Sequence, residues 1–156
     1  MFESMPEPKK EAVVIKPFRE KTPVWKSIVE EGVESVLIDD IIDRVTASPN
    51  ELYSFSLESK FREKLVLLAT EAINELLQND QKNFADPIDR QTSGWDREIA
   101  HSSEDPDKEI ANRGNVLMKS LVTLSGGKAN FVEKVVALMQ EKERQKKSLD
   151  HQKNMQ

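Results

Sequence analysis

The sequence contains no cysteine, and its 156 residues include only two histidines. The lack of cysteine excludes disulfides, thiolate metal sites and thiol nucleophiles, and it suits a reducing compartment. No apolar run approaches the roughly 20 residues that span a bilayer. The first residues show no basic stretch followed by an apolar block, so a secretory signal is not expected. These absences predict a cytoplasmic protein that makes no membrane contact.

The charge of the chain as a whole does not favour nucleic acid or anionic membranes as partners. The net charge is −5, so no global field attracts nucleic acid or anionic membranes, and any such contact must come from a local patch. Hydrophobic residues make up 37% of the chain and charged residues 33%. This low apolar content suits exposed helices, or one modest domain that completes its core by assembling with other chains.

The apolar residues recur at steps of three and four, which is the signature of amphipathic helices. Thr22-Pro23 and Asp105-Pro106 are typical helix starts, and Gly32 predicts a bend or break within the first helix. Ser125-Gly126-Gly127 predicts the short turn of a helical hairpin. We therefore predict an all-α fold, a helical bundle or set of helical hairpins, with main helices near 23–47, 57–78, 106–125 and 128–147.

Three stretches differ in composition and define the predicted domain organisation. Residues 1–21 contain three prolines and are predicted to form an extended or disordered arm. Residues 22–140 form the helical domain, in which the polar stretch at about 80–105 is predicted to be an irregular loop. Residues 141–156 are polar all round and predict a solvated helix end or tail.

Two short motifs resemble parts of enzymes. Asp39-Asp40-Ile41-Ile42-Asp43 is similar to the aspartate-rich motif of isoprenyl diphosphate synthases, in which carboxylates hold Mg²⁺ against a diphosphate. Leu124-Ser125-Gly126-Gly127-Lys128 resembles the signature loop of ABC-type ATPases. However, the chain has neither a second aspartate-rich motif nor a GxxxxGK[ST] loop. The sequence therefore predicts that the protein is not an enzyme, with no catalytic, cofactor-binding or metal site and no cofactor.

Candidate partner-binding residues lie mainly near the two ends of the chain. The arm has a short apolar run that could add to a partner as a strand, and the tail has a group of cations. Trp95, in the predicted loop, either pins that loop to the core or anchors a partner. The candidate partner-binding residues are Val13, Val14, Ile15, Phe18, Trp95, Lys142, Arg144, Lys146 and Lys147.

The helix predicted at 57–78 carries the functional interpretation. Its apolar stripe is widened by Val66, Leu67, Ala69 and Leu77, so it needs cover on more than one side, from this chain or from another copy. We therefore expect a non-enzymatic adaptor or scaffold subunit that binds protein partners or copies of itself.

An alternative of a different class involves nucleic acid. The helix at 57–78, followed by Leu117-Met118-Lys119-Ser120-Leu121-Val122 and Ala129-Asn130-Phe131-Val132, is similar in pattern to the helical core of small terminase subunits of tailed phages. Ring assembly would gather the basic residues of the tail into a phosphate-binding rim. A DNA-packaging subunit is therefore the alternative function.

Overall fold

The computed structural model describes residues 22–47, Leu52 and residues 58–154, and this part of the chain is helical without a strand. The arm at 1–21, with Val13, Val14, Ile15 and Phe18, lies outside the described residues. The segments in chain order are α1 (Thr22–Gly32), a π-helical turn (Val33–Leu37), α2 (Ile38–Thr46), α3 (Phe61–Asn79), a second π-helical turn (Gln81–Ala85), α4 (Asp86–Thr92), α5 (Trp95–Ala100), α6 (Pro106–Leu124) and α7 (Lys128–Asn154). The all-α prediction is confirmed, and the four predicted main helices are present.

The two ends of α6 show why its boundaries were readable from sequence. The Asp105 carboxylate accepts the N–H of Lys108 at 3.1 Å, and Pro106 takes the first turn. At the other end the Gly127 N–H donates to the Val122 carbonyl at 2.9 Å, while Gly126 has φ +86°. This is a glycine-dependent helix stop, and α7 begins directly after it. Ser125-Gly126-Gly127 thus forms the short turn between α6 and α7 that the sequence predicts.

The prediction of an irregular loop at about 80–105 is wrong. The Asp80 carbonyl accepts the N–H groups of Phe84 and Ala85 at 3.2 and 2.9 Å, and α4 and α5 follow. These helices have only 7 and 6 residues, too few to be stable alone, so packing must hold them. Four large apolar side chains provide that packing and are buried: Phe84, Ile88, Trp95 and Ile99.

The spacing of the buried residues explains the π-helical turn between α1 and α2. Val29, Val33, Leu37, Ile41 and Val45 are all fully buried and recur at every fourth position. Steps of four drift around a regular α-helix of 3.6 residues per turn. The wider turn, in which the Ile38 N–H donates to the Val33 carbonyl five residues back, absorbs that drift and keeps the stripe against the core.

Gly32 lies where α1 crosses α6 at close range. A Cβ at Gly32 would lie 2.6 Å from the Gly114 carbonyl oxygen, and a Cβ at Gly114 would lie 2.7 Å from the Ile28 carbonyl oxygen. No side chain fits at those distances, so the backbones of α1 and α6 are in direct contact. The α1–α6 pair is the most extensive helix contact in the described part of the chain.

The core is one continuous cluster to which every main helix contributes. Phe61, Leu68 and Leu138 are only partly covered and pack against the edge of this cluster, while six other apolar residues of the long helices are fully buried: Leu65, Ile73, Leu117, Leu121, Phe131 and Val135. α3 packs against both α1 and α7, and α6 packs mainly on α1. α3 is therefore flanked on two sides and keeps one outward ridge.

Within the described ranges, none of the helices combines the length and the apolar character needed to cross a membrane.

Candidate interaction surface

The outward ridge of α3 carries an exposed leucine. Leu67 is 47% exposed, although it lies in the wide apolar stripe of this helix. Its neighbours Val66 and Leu68 turn toward α1 and α7 respectively and are buried or half-buried. Leu67 thus stands between two depressions, one on each side of the helix, and lines both of them.

The depression between α3 and α7 is a groove of about 520 Å³. Its apolar floor is formed by Leu67, the half-buried Leu68 and Leu149, which is 66% exposed near the end of α7. Its remaining lining is charged or polar: Lys64, Glu71, Lys142, Glu143, Gln145 and Lys146. Long cationic side chains with apolar stems around aliphatic residues suit a partner that offers both apolar contact and carboxylates.

The depression between α3 and α1 has about 360 Å³ and is strongly acidic. Four glutamates and two aliphatic residues line it: Glu30, Glu31, Glu34, Glu63, Val66 and Leu67. Arg62 bonds Glu34 at 3.1 Å, and it also contacts Asp39 at 3.2 Å. The pKa of Arg62 is raised, mainly by its hydrogen bond to Glu34 and next by its hydrogen bond to Asp39. Glu30, Glu31 and Glu63 have no ion pair with any residue that the structure describes.

A second exposed apolar surface lies on α6 and shares no residue with the first. Val116 and Leu124 are 44% and 40% exposed, and Pro87 and Gln91 of α4 complete the shallow depression around them. Among the described residues these two and the two exposed leucines Leu67 and Leu149 are the large apolar side chains left open to solvent. The protein therefore presents apolar contact area on two different sets of helices.

The structure brings together only some of the predicted partner-binding residues. Lys142 and Lys146 line the groove beside Leu67. Lys142 also pairs with Glu75 at 3.6 Å, which fastens α7 to α3. Arg144 pairs with Glu141 on its own helix at 2.7 Å, and Lys147 is exposed; neither of them lines the groove.

Trp95 is not available as a partner anchor in this structure. The residue is 5% exposed, and its ring stacks on that of Trp25 with ring centroids 5.9 Å apart and planes at 4°. The guanidinium of Arg113, which belongs to α6, lies 5.1 Å from the Trp95 ring centroid in a cation–π arrangement. Of the two interpretations of Trp95, the structure supports the one in which it pins its segment to the core.

Arg113 is itself held by two carboxylates. It pairs with Glu98 of α5 at 2.6 Å and with Glu109 of α6 at 2.8 Å. Burial by itself lowers the pKa of Arg113, but hydrogen bonds to Glu109 and Glu98 outweigh it and the net pKa is raised. The stack of Arg113, Trp95 and Trp25 therefore joins α5, α6 and α1.

Two of the three aspartates of the DDxxD run, Asp39 and Asp40, contact cations from the protein. Asp39 contacts Arg62, as described above, and Asp40 pairs with Lys128 at 3.3 Å. One turn on, Arg44 pairs with Glu133 of α7; their hydrogen bond raises the pKa of Arg44 and lowers that of Glu133. Across the described residues, no group of three or more histidines, aspartates and glutamates is placed to hold a metal ion. The run thus fastens α2 to α3 and α7.

Comparisons of the chain with models of protein families, with curated proteins and with solved structures found no match.

Sequence reasoning missed the residues at the centre of the surface. Leu67 was assigned to the buried stripe, because periodicity shows which residues share a helix face but not how far the neighbouring helices cover that face. Leu149 gives no periodic signal, because it is a single apolar residue in the otherwise polar stretch 141–154. The detectable signal was the excess width of the α3 stripe, which indicated that part of it needed cover from elsewhere.

Proposed function

We propose that this protein is a non-enzymatic adaptor or scaffold subunit, acting in the cytoplasm through protein–protein contacts in a larger or homo-oligomeric assembly. The observation that supports this is the pair of exposed apolar surfaces, one at Leu67 and Leu149 and one at Val116 and Leu124. A subunit that joins two neighbours needs two separate contact surfaces, and these two share no helix.

The arrangement of the exposed leucines strengthens the proposal. Single apolar side chains on a surface are ordinary, but contiguous ones in a depression rimmed by charges are typical of interaction sites. Leu67 and Leu149 come from different helices and line one groove together with the half-buried Leu68. Each Å² of apolar area that a partner covers there contributes roughly 25 cal/mol to binding, before the costs of association.

The same charges give less support to the nucleic-acid alternative. Two of the four predicted cations, Lys142 and Arg144, are engaged with carboxylates of this chain. The groove that contains Lys142 and Lys146 is also lined by Glu71 and Glu143. A phosphate backbone would meet a mixed surface there rather than a basic one.

The test is native mass spectrometry of the protein isolated from its own cells, with three variants compared. Leu67→Glu/Leu149→Glu places charges in the first surface, and Val116→Glu/Leu124→Glu does so in the second. Asn112→Glu adds one charge at an exposed position of α6 and serves as the control. We expect the wild-type protein and the control to be found in complexes that at least one double variant loses, while circular dichroism shows unchanged helix content. A compact monomer in every case would overturn the proposal.

A further inference from the structure

The depression between α3 and α1 is lined by negative charge that is mostly left without a counter-charge. Four glutamates line it, and Arg62 pairs with one of them, Glu34. The other three have no ion pair with any residue that the structure describes. Val66 and the 47% exposed Leu67 form the apolar part of the lining. A segment that offers cations together with aliphatic side chains therefore fits this depression.

We propose that residues 9–16, in the chain's own arm, bind in the depression between α3 and α1. This segment lies outside the described residues, and its sequence supplies both kinds of side chain. It has three lysines and one glutamate, a formal charge of +2, around a short apolar run: Lys9, Lys10, Glu11, Ala12, Val13, Val14, Ile15 and Lys16. The inference goes beyond the proposed function, because it concerns a contact within one chain. It leaves the α7 side of Leu67, with Leu149, open to a partner.

The connection of the arm to α1 places this segment within reach. α1 begins at Thr22, and its first residue in the depression is Glu30. At 1.5 Å per helical residue these two positions are about 12 Å apart, a distance that about four residues of extended chain cover. Reversing the chain direction takes about two residues more. An arm that folds back along α1 therefore brings Lys16 to the level of Glu30 and the residues before it along the depression.

Two other depressions fit the segment less well. The groove between α3 and α7 is lined by three lysines, whose charge opposes that of the segment: Lys64, Lys142 and Lys146. The depression beside Val116 is lined by Lys119 and by no carboxylate. Of these three depressions, only the one between α3 and α1 is lined by carboxylates without a cation. Charge therefore selects it as the site of the arm.

The absence of cysteine allows the contact to be trapped as a disulfide. Ile15→Cys/Leu67→Cys places one thiol in the segment and one in the depression, and Val13→Cys/Leu67→Cys tests a second register. Ile15→Cys/Val116→Cys is the matched control, because Val116 is 44% exposed, close to the 47% of Leu67, but lies on α6. Under mild oxidation of dilute full-length protein, at least one Leu67 pair should form a disulfide within one chain at least about tenfold faster than the control. Equal rates would overturn the proposal.

Charge reversal tests whether the glutamates hold the segment. Lys10→Glu/Lys16→Glu, added to the Leu67 pair that reacts fastest, changes the formal charge of the segment from +2 to −2. Disulfide formation should then slow at least about fivefold, because like charges face each other in the depression. Glu31→Lys/Glu63→Lys in the same chain should restore the rate. Each rate is taken relative to that of the control pair with the same charge changes.

A second control makes an equal change of charge elsewhere. Lys108→Glu/Lys147→Glu lies at exposed positions of α6 and α7 and should leave the disulfide rate unchanged. Circular dichroism on every variant checks that the helix content is retained. A slowing by this control as large as that by Lys10→Glu/Lys16→Glu would show that only the net charge of the chain matters, and the proposal would fail.

Two further outcomes would overturn the inference while leaving the proposed function intact. The disulfide could form only between two chains, with a yield that rises with protein concentration, which would assign the depression to the arm of another copy. Glu31→Lys/Glu63→Lys could fail to restore the rate, which would remove the charge pairing. In either case the native complexes of Leu67→Glu/Leu149→Glu test the proposed function separately.

Discussion

The buried side chain of Trp95 contributes mainly to the stability of the folded protein. Replacing it with alanine removes a buried ring from the stack with Trp25 and Arg113 and leaves a cavity between α5, α6 and α1. We expect Trp95→Ala to lower the free energy of unfolding by about 3–5 kcal/mol, measured by guanidinium titration with circular dichroism. Arg97→Ala, an exposed position on the same short helix, should change it by less than about 0.5 kcal/mol. Similar values for the two variants would contradict the stacked arrangement.

Glycine at position 114 is required by contact distance rather than by backbone angle. A Cβ there meets the backbone of α1 at Ile28 and at Gly32, and backbone cannot turn aside as a flexible side chain can. Gly114→Ala should therefore destabilise the protein by about 1–2 kcal/mol, since overpacking outweighs the better helix propensity of alanine. In thermal unfolding we expect a lower Tm for Gly114→Ala and an unchanged or higher Tm for Asn112→Ala, which is exposed on the same helix.

The link between α2 and α7 predicts a pH dependence at the scale of the elements. The hydrogen bond from Arg44 lowers the pKa of Glu133 in the folded protein. The stabilisation from this pair is complete above the ordinary carboxyl pKa and is lost as the pH falls through the lowered value. The Tm difference between wild type and Glu133→Gln should therefore be constant near neutral pH and shrink on acidification. Glu104→Gln, at an exposed loop position, provides the reference. A difference that grows toward low pH would refute the assignment.

The helices also show which parts of the fold can be predicted from the sequence and which cannot. Capping and turn residues such as Asp105 and Gly126 act locally, so both ends of α6 and the start of α7 match the prediction to within one residue. The end of α7 has no such signal, and this helix runs to Asn154, beyond the predicted end at 147. α4 and α5 were missed because each spans fewer than two helical turns, too few for a repeated apolar pattern to show. They are held by side chains such as Ile88 and Trp95 that pack into the common core, and such long-range contacts leave no mark on neighbouring residues in the chain.

At the scale of the whole molecule, the single core predicts cooperative unfolding. The buried residues of α1, α3, α5, α6 and α7 form one cluster, and both tryptophans of the chain lie in it. Small domains with one core usually unfold in a single step. Denaturation followed by tryptophan fluorescence and by far-ultraviolet circular dichroism should give coincident transitions. Separate midpoints would show that the surroundings of the stacked tryptophans unfold independently of the bulk of the helices, which would contradict a single core.

The interaction surface depends on the whole molecule in a way that the sequence does not display. Lys142 and Lys146 were predicted as partner-binding residues, but their relation to Leu67 and to the glutamates of α1 arises only when three helices are brought side by side. Glu31 and Lys146 are 115 residues apart in the chain and on opposite flanks of α3. The sequence shows these charges, and only the fold shows which of them line a depression beside Leu67.

The π-helical turn at Val33–Leu37 bears on how the chain tolerates changes in length. Such a turn holds one residue more than a regular helix needs. Removing one residue within it would leave a regular α-helix in which the buried positions on either side still follow each other at steps of three and four. A deletion elsewhere in α1 or α2 would instead rotate the following residues by about 100° and turn the stripe away from the core. The first long helix therefore has one place where evolution or an engineer can shorten the chain without losing the fold.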